Sequence, residues 1–267
     1  MSQGPEIVAQ NINFESGENI LKGSLVYPVT GEDKPTPGVL LLHGGSKTYG
    51  NSIYKSWQLE LAHLGLSNFT FSHQGIEESS GRLENDSLNQ RAEDCERALD
   101  FFLGSGKLKT DRLGVVLLSM SSHYGARLVA NNRNLFKALV AIAPAAYPKE
   151  SEGELFGEPF RKAILDKNAW KSADVFRLYG MFRNPSRLFY PENEQIIMAE
   201  IQERYKGIFE SCTRLEATDH YFMKADTPER ARAWEVVKRQ SEEFLKRYLI
   251  DRSCKFPNPR EIQSNAF

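Results

Sequence analysis

The chain has 267 residues, of which 40% are apolar and 26% charged, a balance suited to one large folded α/β domain or two small ones and not to a disordered chain. Its 34 Lys and Arg nearly cancel its 35 Asp and Glu, so neither nucleic acid nor a polycation is indicated as a partner. A small neutral or weakly charged substrate fits better.

The opening MSQGPEIVAQ does not read as a signal peptide, and the longest apolar run is only as long as a strand. No membrane span and a cytoplasmic location are therefore expected. Cys95, Cys212 and Cys254 are odd in number and far apart, which suggests neither a disulfide framework nor a zinc cage.

Two β-rich stretches come first, EIVAQNINF and ILKGSLVYPV, joined by the turn-forming ESGEN. They predict an antiparallel hairpin. After a Pro/Gly-rich connector, GVLLLHGG reads as a strand buried on both faces. A helix is expected from about Ser52 to Gly65, then the strand LSNFTF and a polar loop. Asn85, Asp86 and Ser87 offer caps for a helix in which Leu88, Ala92, Cys95, Leu99 and Phe102 recur at helical spacing. The strand RLGVVLL, a helix over 121–131 and the strand FKALVAIA follow. This alternation predicts a mostly parallel sheet with helices on both faces.

Residues 148–184 break the alternation with helical pieces whose aromatics, Phe156, Phe160, Trp170, Phe176, Tyr179 and Phe182, look exposed. They predict a small helical cap or lid inserted between two strands. The sheet resumes at SRLFY, followed by a helix through Met198 and Tyr205, a strand near SCTRLEAT and a last helix starting near Pro228. One domain spanning the chain is expected, with 250–267 as a tail.

Ser119 ends the strand VVLL and precedes a helix, which places it at the carboxyl edge of the sheet, where open parallel sheets bind ligands. The helix amides beyond it favour a developing anion. A serine needs a base, and the base needs an orienting acid. His220, in the loop after the last predicted strand, is the best placed of five histidines. The acid is expected from PENEQ after SRLFY: Glu194 is preferred, with Glu192 as the competitor that spacing alone does not eliminate. The small residues of HGG, together with the turn after Ser119, suggest the amides of Gly45 and Met120 as an oxyanion hole.

These motifs resemble the α/β-hydrolase superfamily, above all its compact, cap-bearing serine esterases and thioesterases, over about 4–249. The resemblance rests on HGG after the third strand, the loop QGIEESSG at 74–81 (similar to RGHGxSxG), Ser119, YPENE and ATDHYF, with serine, acid and histidine in the family's order. It departs at the turn around the serine, where G-x-S-x-G is replaced by Leu117, Leu118, Ser119, Met120 and Ser121. The bulk of Leu117 raises the question of whether the turn can form. The resemblance implies hydrolysis of a carboxylic ester or thioester through an acyl-enzyme. A noncatalytic binding protein on the same fold, or an acyltransferase, is the alternative. Neither a nucleotide nor a metal cofactor is implied: the glycine pair lacks a phosphate-loop context and the carboxylate pairs lack neighbouring histidines.

Overall fold

The continuous apolar runs split into two faces once they pair as strands. In the computed structural model, which describes residues 5–31 and 34–251, β3 (Thr36–Leu42), β5 (Leu108–Leu118) and β6 (Phe136–Ile142) lie side by side in parallel. Leu40, Leu42, Val115, Leu117, Leu139 and Ala141 point into one core, and Val39, Leu41, Val116, Leu118, Val140 and Ile142 into another. The two-residue period of a strand makes this division.

β1 (Ile7–Ser16) and β2 (Asn19–Pro28) form the expected antiparallel hairpin, and Gly17 takes the left-handed conformation (φ 58°) its tight turn requires. With β4 (Ser67–Ser72), β7 (Ser186–Pro191) and β8 (Ser211–Leu215) they complete an eight-stranded sheet ordered β1-β2-β4-β3-β5-β6-β7-β8, parallel from β4 onward.

Helix α1 (Lys55–His63) and the late helix α7 (Pro228–Leu245) cover one face, where Trp57 meets Trp234 edge-on at 5.4 Å. Helices α2 (Leu88–Gly104) and α3 (Ser121–Asn131) cover the other. Ser87 caps α2, its hydroxyl accepting the Gln90 amide at 3.1 Å. No helix of the described residues is long and apolar enough to cross a membrane.

The segment 148–184 is helical in short pieces, including α4 (Glu158–Ala163) and α5 (Val175–Tyr179). Its aromatics are not exposed as their sequence suggests: Phe160, Trp170, Phe176, Tyr179 and Phe182 are each buried in the core beside α3, and Phe156 is half-buried. Of these, Phe176 packs on Tyr205, and Tyr179 on Tyr205 and Phe209, on or next to helix α6 (Ala199–Lys206), with ring centroids 4.9–5.9 Å apart. Hydroxyls end the stack, Tyr179 donating to the Ser122 carbonyl at 2.6 Å and Tyr205 to the Ala145 carbonyl at 2.8 Å. Aromatic rings with satisfied hydroxyls suit a core wall, and this wall braces the start of α3. Cys95 is buried and Cys212 exposed; Cys254 and the expected tail beyond Asp251 lie outside the described residues.

Candidate active site

The turn at Ser119 is strained. Its φ is 52°, a left-handed value that a serine adopts only when its surroundings impose it. Three backbone bonds do so: the Ser119 amide donates to the Ile142 carbonyl at 2.8 Å, while its carbonyl accepts the amides of Ser122 at 3.0 Å and Ala145 at 3.1 Å. Ser121 adds a fourth tie, its hydroxyl accepting the Leu118 amide at 2.6 Å and lying 2.9 Å from the carbonyls of Leu42 and Leu118. A glycine at 121 could not do this.

Leu117 is accommodated from the helix side. It is fully buried in β5, and a methyl group placed on Gly125 of α3 would fall 2.7 Å from its Cδ2. The space that G-x-S-x-G opens by a glycine on the strand is opened here by a glycine on the helix.

The acid and histidine loops are laced together at the ends of β7 and β8. The Glu192 amide donates to the Leu215 carbonyl and the Asn193 amide to the Thr218 carbonyl, both at 2.9 Å. Glu194 is thereby carried to His220, with Oε2 2.8 Å from Nδ1, and His220 Nε2 stands 3.0 Å from Ser119 Oγ. Glu192 goes elsewhere: its Oε2 accepts the Ala217 amide at 2.8 Å. Asp219, next to the histidine, is ion-paired with Arg230 of α7. The Glu194 side chain is 2% exposed. Burial alone would raise its pKa, but the His220 hydrogen bond and charge, with the amides of Ile197 and Ile196 on Oε1, hold the carboxyl below its ordinary range. An ionised Glu194 accepts the hydrogen bond from Nδ1–H of His220, which turns Nε2 toward the serine hydroxyl.

The HGG turn packs directly on this elbow. A methyl group on Gly44 would lie 3.2 Å from Ser119 Cβ, and one on Gly45 would lie 2.8 Å from Met120 Cε. The amides of Gly45 and Met120 have no acceptor among the described residues.

Beneath the turn runs a buried chain of polar groups that no motif or spacing marks. Ser16 Oγ donates to Asp94 Oδ1 at 2.6 Å, Asp94 Oδ2 is 2.8 Å from His73 Nδ1, His73 Nε2 is 3.0 Å from the Tyr124 hydroxyl, and that hydroxyl donates to the His43 carbonyl at 2.7 Å. Tyr124 has one hydrogen, already given to His43, so His73 Nε2 must donate to it. Burial pushes His73 well below its ordinary pKa and Asp94 above its own. This pair favours neutral partners sharing one proton. The signal was spread over β1, α2, α3 and a loop, and only the fold assembles it.

A cavity of about 310 Å³ opens over Ser119 and His220. Tyr49, Ile53, Tyr147, Ile196, Tyr221 and Met223 make it mainly apolar, and Tyr49, Ile196 and Tyr221 are exposed at its mouth. Sequence reasoning passed over these residues, although Tyr147 and Tyr221 follow the strand end and the histidine already singled out. No residue of 148–184 lines this cavity.

No protein-family model matches the chain, and no curated protein does. Solved structures do. Est1E from Butyrivibrio proteoclasticus, solved with ferulic acid bound, is similar over 90% of this chain and 100% of its own, at 18% identity and a TM-score of 0.70. Acylaminoacyl peptidase from Pyrococcus horikoshii is similar over 93% of this chain at 16% identity and a TM-score of 0.72, but the match spans only 43% of the peptidase. A candidate dipeptidyl aminopeptidase IV from Bacteroides ovatus is similar over 92% of this chain and 36% of its own, at 15% identity and a TM-score of 0.67. The chain therefore has the α/β-hydrolase fold over nearly its whole length.

Proposed function

We propose that the chain is a serine hydrolase acting on carboxylic esters or thioesters through an acyl-enzyme. The unbroken line from Glu194 through His220 to a strained Ser119 carries this reading. His220 Nε2 removes the serine proton as Oγ attacks the acyl carbon, and Glu194 stabilises the imidazolium that forms. The Gly45 and Met120 amides hold the oxyanion. His220 then gives its proton to the departing alcohol or thiol. Water, deprotonated by the same Nε2, attacks the acyl-enzyme and releases the acid, restoring Ser119.

The apolar cleft suits a modest acyl or leaving group. The space Gly125 leaves for Leu117 supports a turn in which the serine stays reactive, and so weighs against a binding-only role. A fluorophosphonate probe tests the proposal. The wild type should label at Ser119 and cleave para-nitrophenyl butyrate, whereas Ser119→Ala should not label and should lose about 10⁴-fold or more in rate. Unchanged cleavage by a folded Ser119→Ala protein would overturn it.

A further inference from the structure

A second cavity, of about 370 Å³, adjoins the first and shares Gly45 and Met120 with it. The two thus adjoin along the residues proposed to hold the oxyanion. Their linings differ. The second has three cations, Lys47, Arg91 and Arg161, against one carboxylate, Glu84, with Phe156 and Phe160 as its apolar wall.

Arg91 is the unusual member. Its side chain is 1% exposed, and its guanidinium lies over the Phe156 ring, Cζ 4.6 Å from the centroid. Nε donates to Asp86 Oδ2 at 2.7 Å, but the best partner of Nη1 is the Met120 sulfur at 3.5 Å. No oxygen among the described residues takes a hydrogen from either Nη. A buried guanidinium ordinarily fills its donors, and this one keeps the side of its fork that best fits a carboxylate. Lys47 and Arg161, unlike Arg91, make no ion pair among the described residues, so neither is committed to a carboxylate there.

We infer that this second cavity is an anion subsite and that the substrate is an ester or thioester bearing a carboxylate, held by the Nη edge of Arg91 with Lys47 and Arg161 at the rim. The inference rests on the hydrolase reading for its substrate, but not for its site. The aromatics of 148–184 then serve the reaction through this subsite, by fixing the plane of Arg91, and not by roofing the serine.

Two pairs of esters test it in the full-length protein. Phenyl butyrate and para-carboxyphenyl butyrate differ by an anion on the leaving group; para-nitrophenyl butyrate and mono-para-nitrophenyl glutarate differ by an anion on the acyl group. In one pair the anionic member should win by about tenfold to a hundredfold in kcat/KM, and which pair responds assigns the cavity to acyl or leaving group. That ratio should fall about tenfold in Arg91→Lys, which keeps the charge for Asp86 and loses the fork. If Arg91→Lys does not fold, Lys47→Gln and Arg161→Gln, both on exposed side chains, should lower the same ratio. Separately, calorimetry on Ser119→Ala should detect glutarate or para-hydroxybenzoate, but not butyramide or phenol. Cleavage with equal kcat/KM within both pairs, and no binding of either anion, overturns the subsite while the hydrolase stands. Binding of the anion by a protein that cleaves none of the esters overturns the hydrolase while the subsite stands.

Discussion

The molecule holds two histidine–carboxylate pairs of the same length that differ in what they can do. His220 and Glu194 are 2.8 Å apart, as are His73 and Asp94. Glu194 also accepts two backbone amides, fixed dipoles that favour the ionised form, and its histidine reaches a cavity through Ser119. Asp94 accepts only the neutral side chains of Ser16 and Gln90, and its histidine is closed in by Tyr124. One pair keeps a negative carboxylate able to stabilise an imidazolium. The other holds a neutral contact that pins the His43 carbonyl, and with it the HGG turn. What the far nitrogen faces, and how the carboxylate is solvated, separates chemistry from scaffolding.

Paired substitutions would break that contrast if it is wrong. Glu194→Gln should cost about 10²- to 10⁴-fold in kcat while the protein stays folded, because the imidazolium loses its counter-charge. Asp94→Ala should do the reverse. With His73 Nδ1 and the donors of Ser16 and Gln90 left without their partner, it should lose about 2–4 kcal/mol in urea unfolding, while the folded fraction keeps kcat within about tenfold. If Asp94→Ala impaired rate as deeply as Glu194→Gln without loss of stability, the two pairs would not differ as described.

Stability against pH sharpens the same point. The Glu194 pKa is lowered on folding from an ordinary 4.5, so its contribution is complete above that value and is lost as pH falls through the lower folded value. The stability gap between wild type and Glu194→Gln should be largest near neutral pH and shrink as pH falls below 4.5.

A smaller effect is expected at the elbow. Alanine is about 1 kcal/mol better than glycine in a helix, yet Gly125→Ala should still destabilise by about 1–3 kcal/mol, because the new methyl would meet Leu117 Cδ2. Combined with Leu117→Gly it should cost less than the two separate losses added together, a coupling readable by chemical denaturation. The least effect belongs to Glu192→Gln, whose carboxylate holds the Ala217 amide and not the histidine; kcat/KM should stay within about threefold.

The central strands were legible because each carries an apolar run ended by a polar or small residue, and Ser119 and the 192–194 carboxylates follow such runs, while His220 follows the weaker pattern of β8. That made their places at the sheet edge readable from order alone. The choice between Glu192 and Glu194 was not, since it depends on how the backbone of 192–193 bonds to 215–218. The aromatics of 148–184 misled because a short irregular helix has too few turns to show a buried stripe. Arg91 stands three residues after Leu88 and four before Cys95, on the apolar stripe of α2, so its spacing turns it inward; that its guanidinium would lie against Phe156, from a distant segment, is set only by the fold.

The contact between Leu117 and Gly125 also bears on how such a turn can change by mutation. The bulky and the empty position sit on different elements, so exchanging them takes two substitutions with one intermediate between. A glycine at 117 beside Gly125 leaves a void; an alanine at 125 beside Leu117 leaves a clash. Both intermediates are less stable than the present pairing. Either first step away from this form of the elbow therefore loses stability, whichever of the two positions changes first.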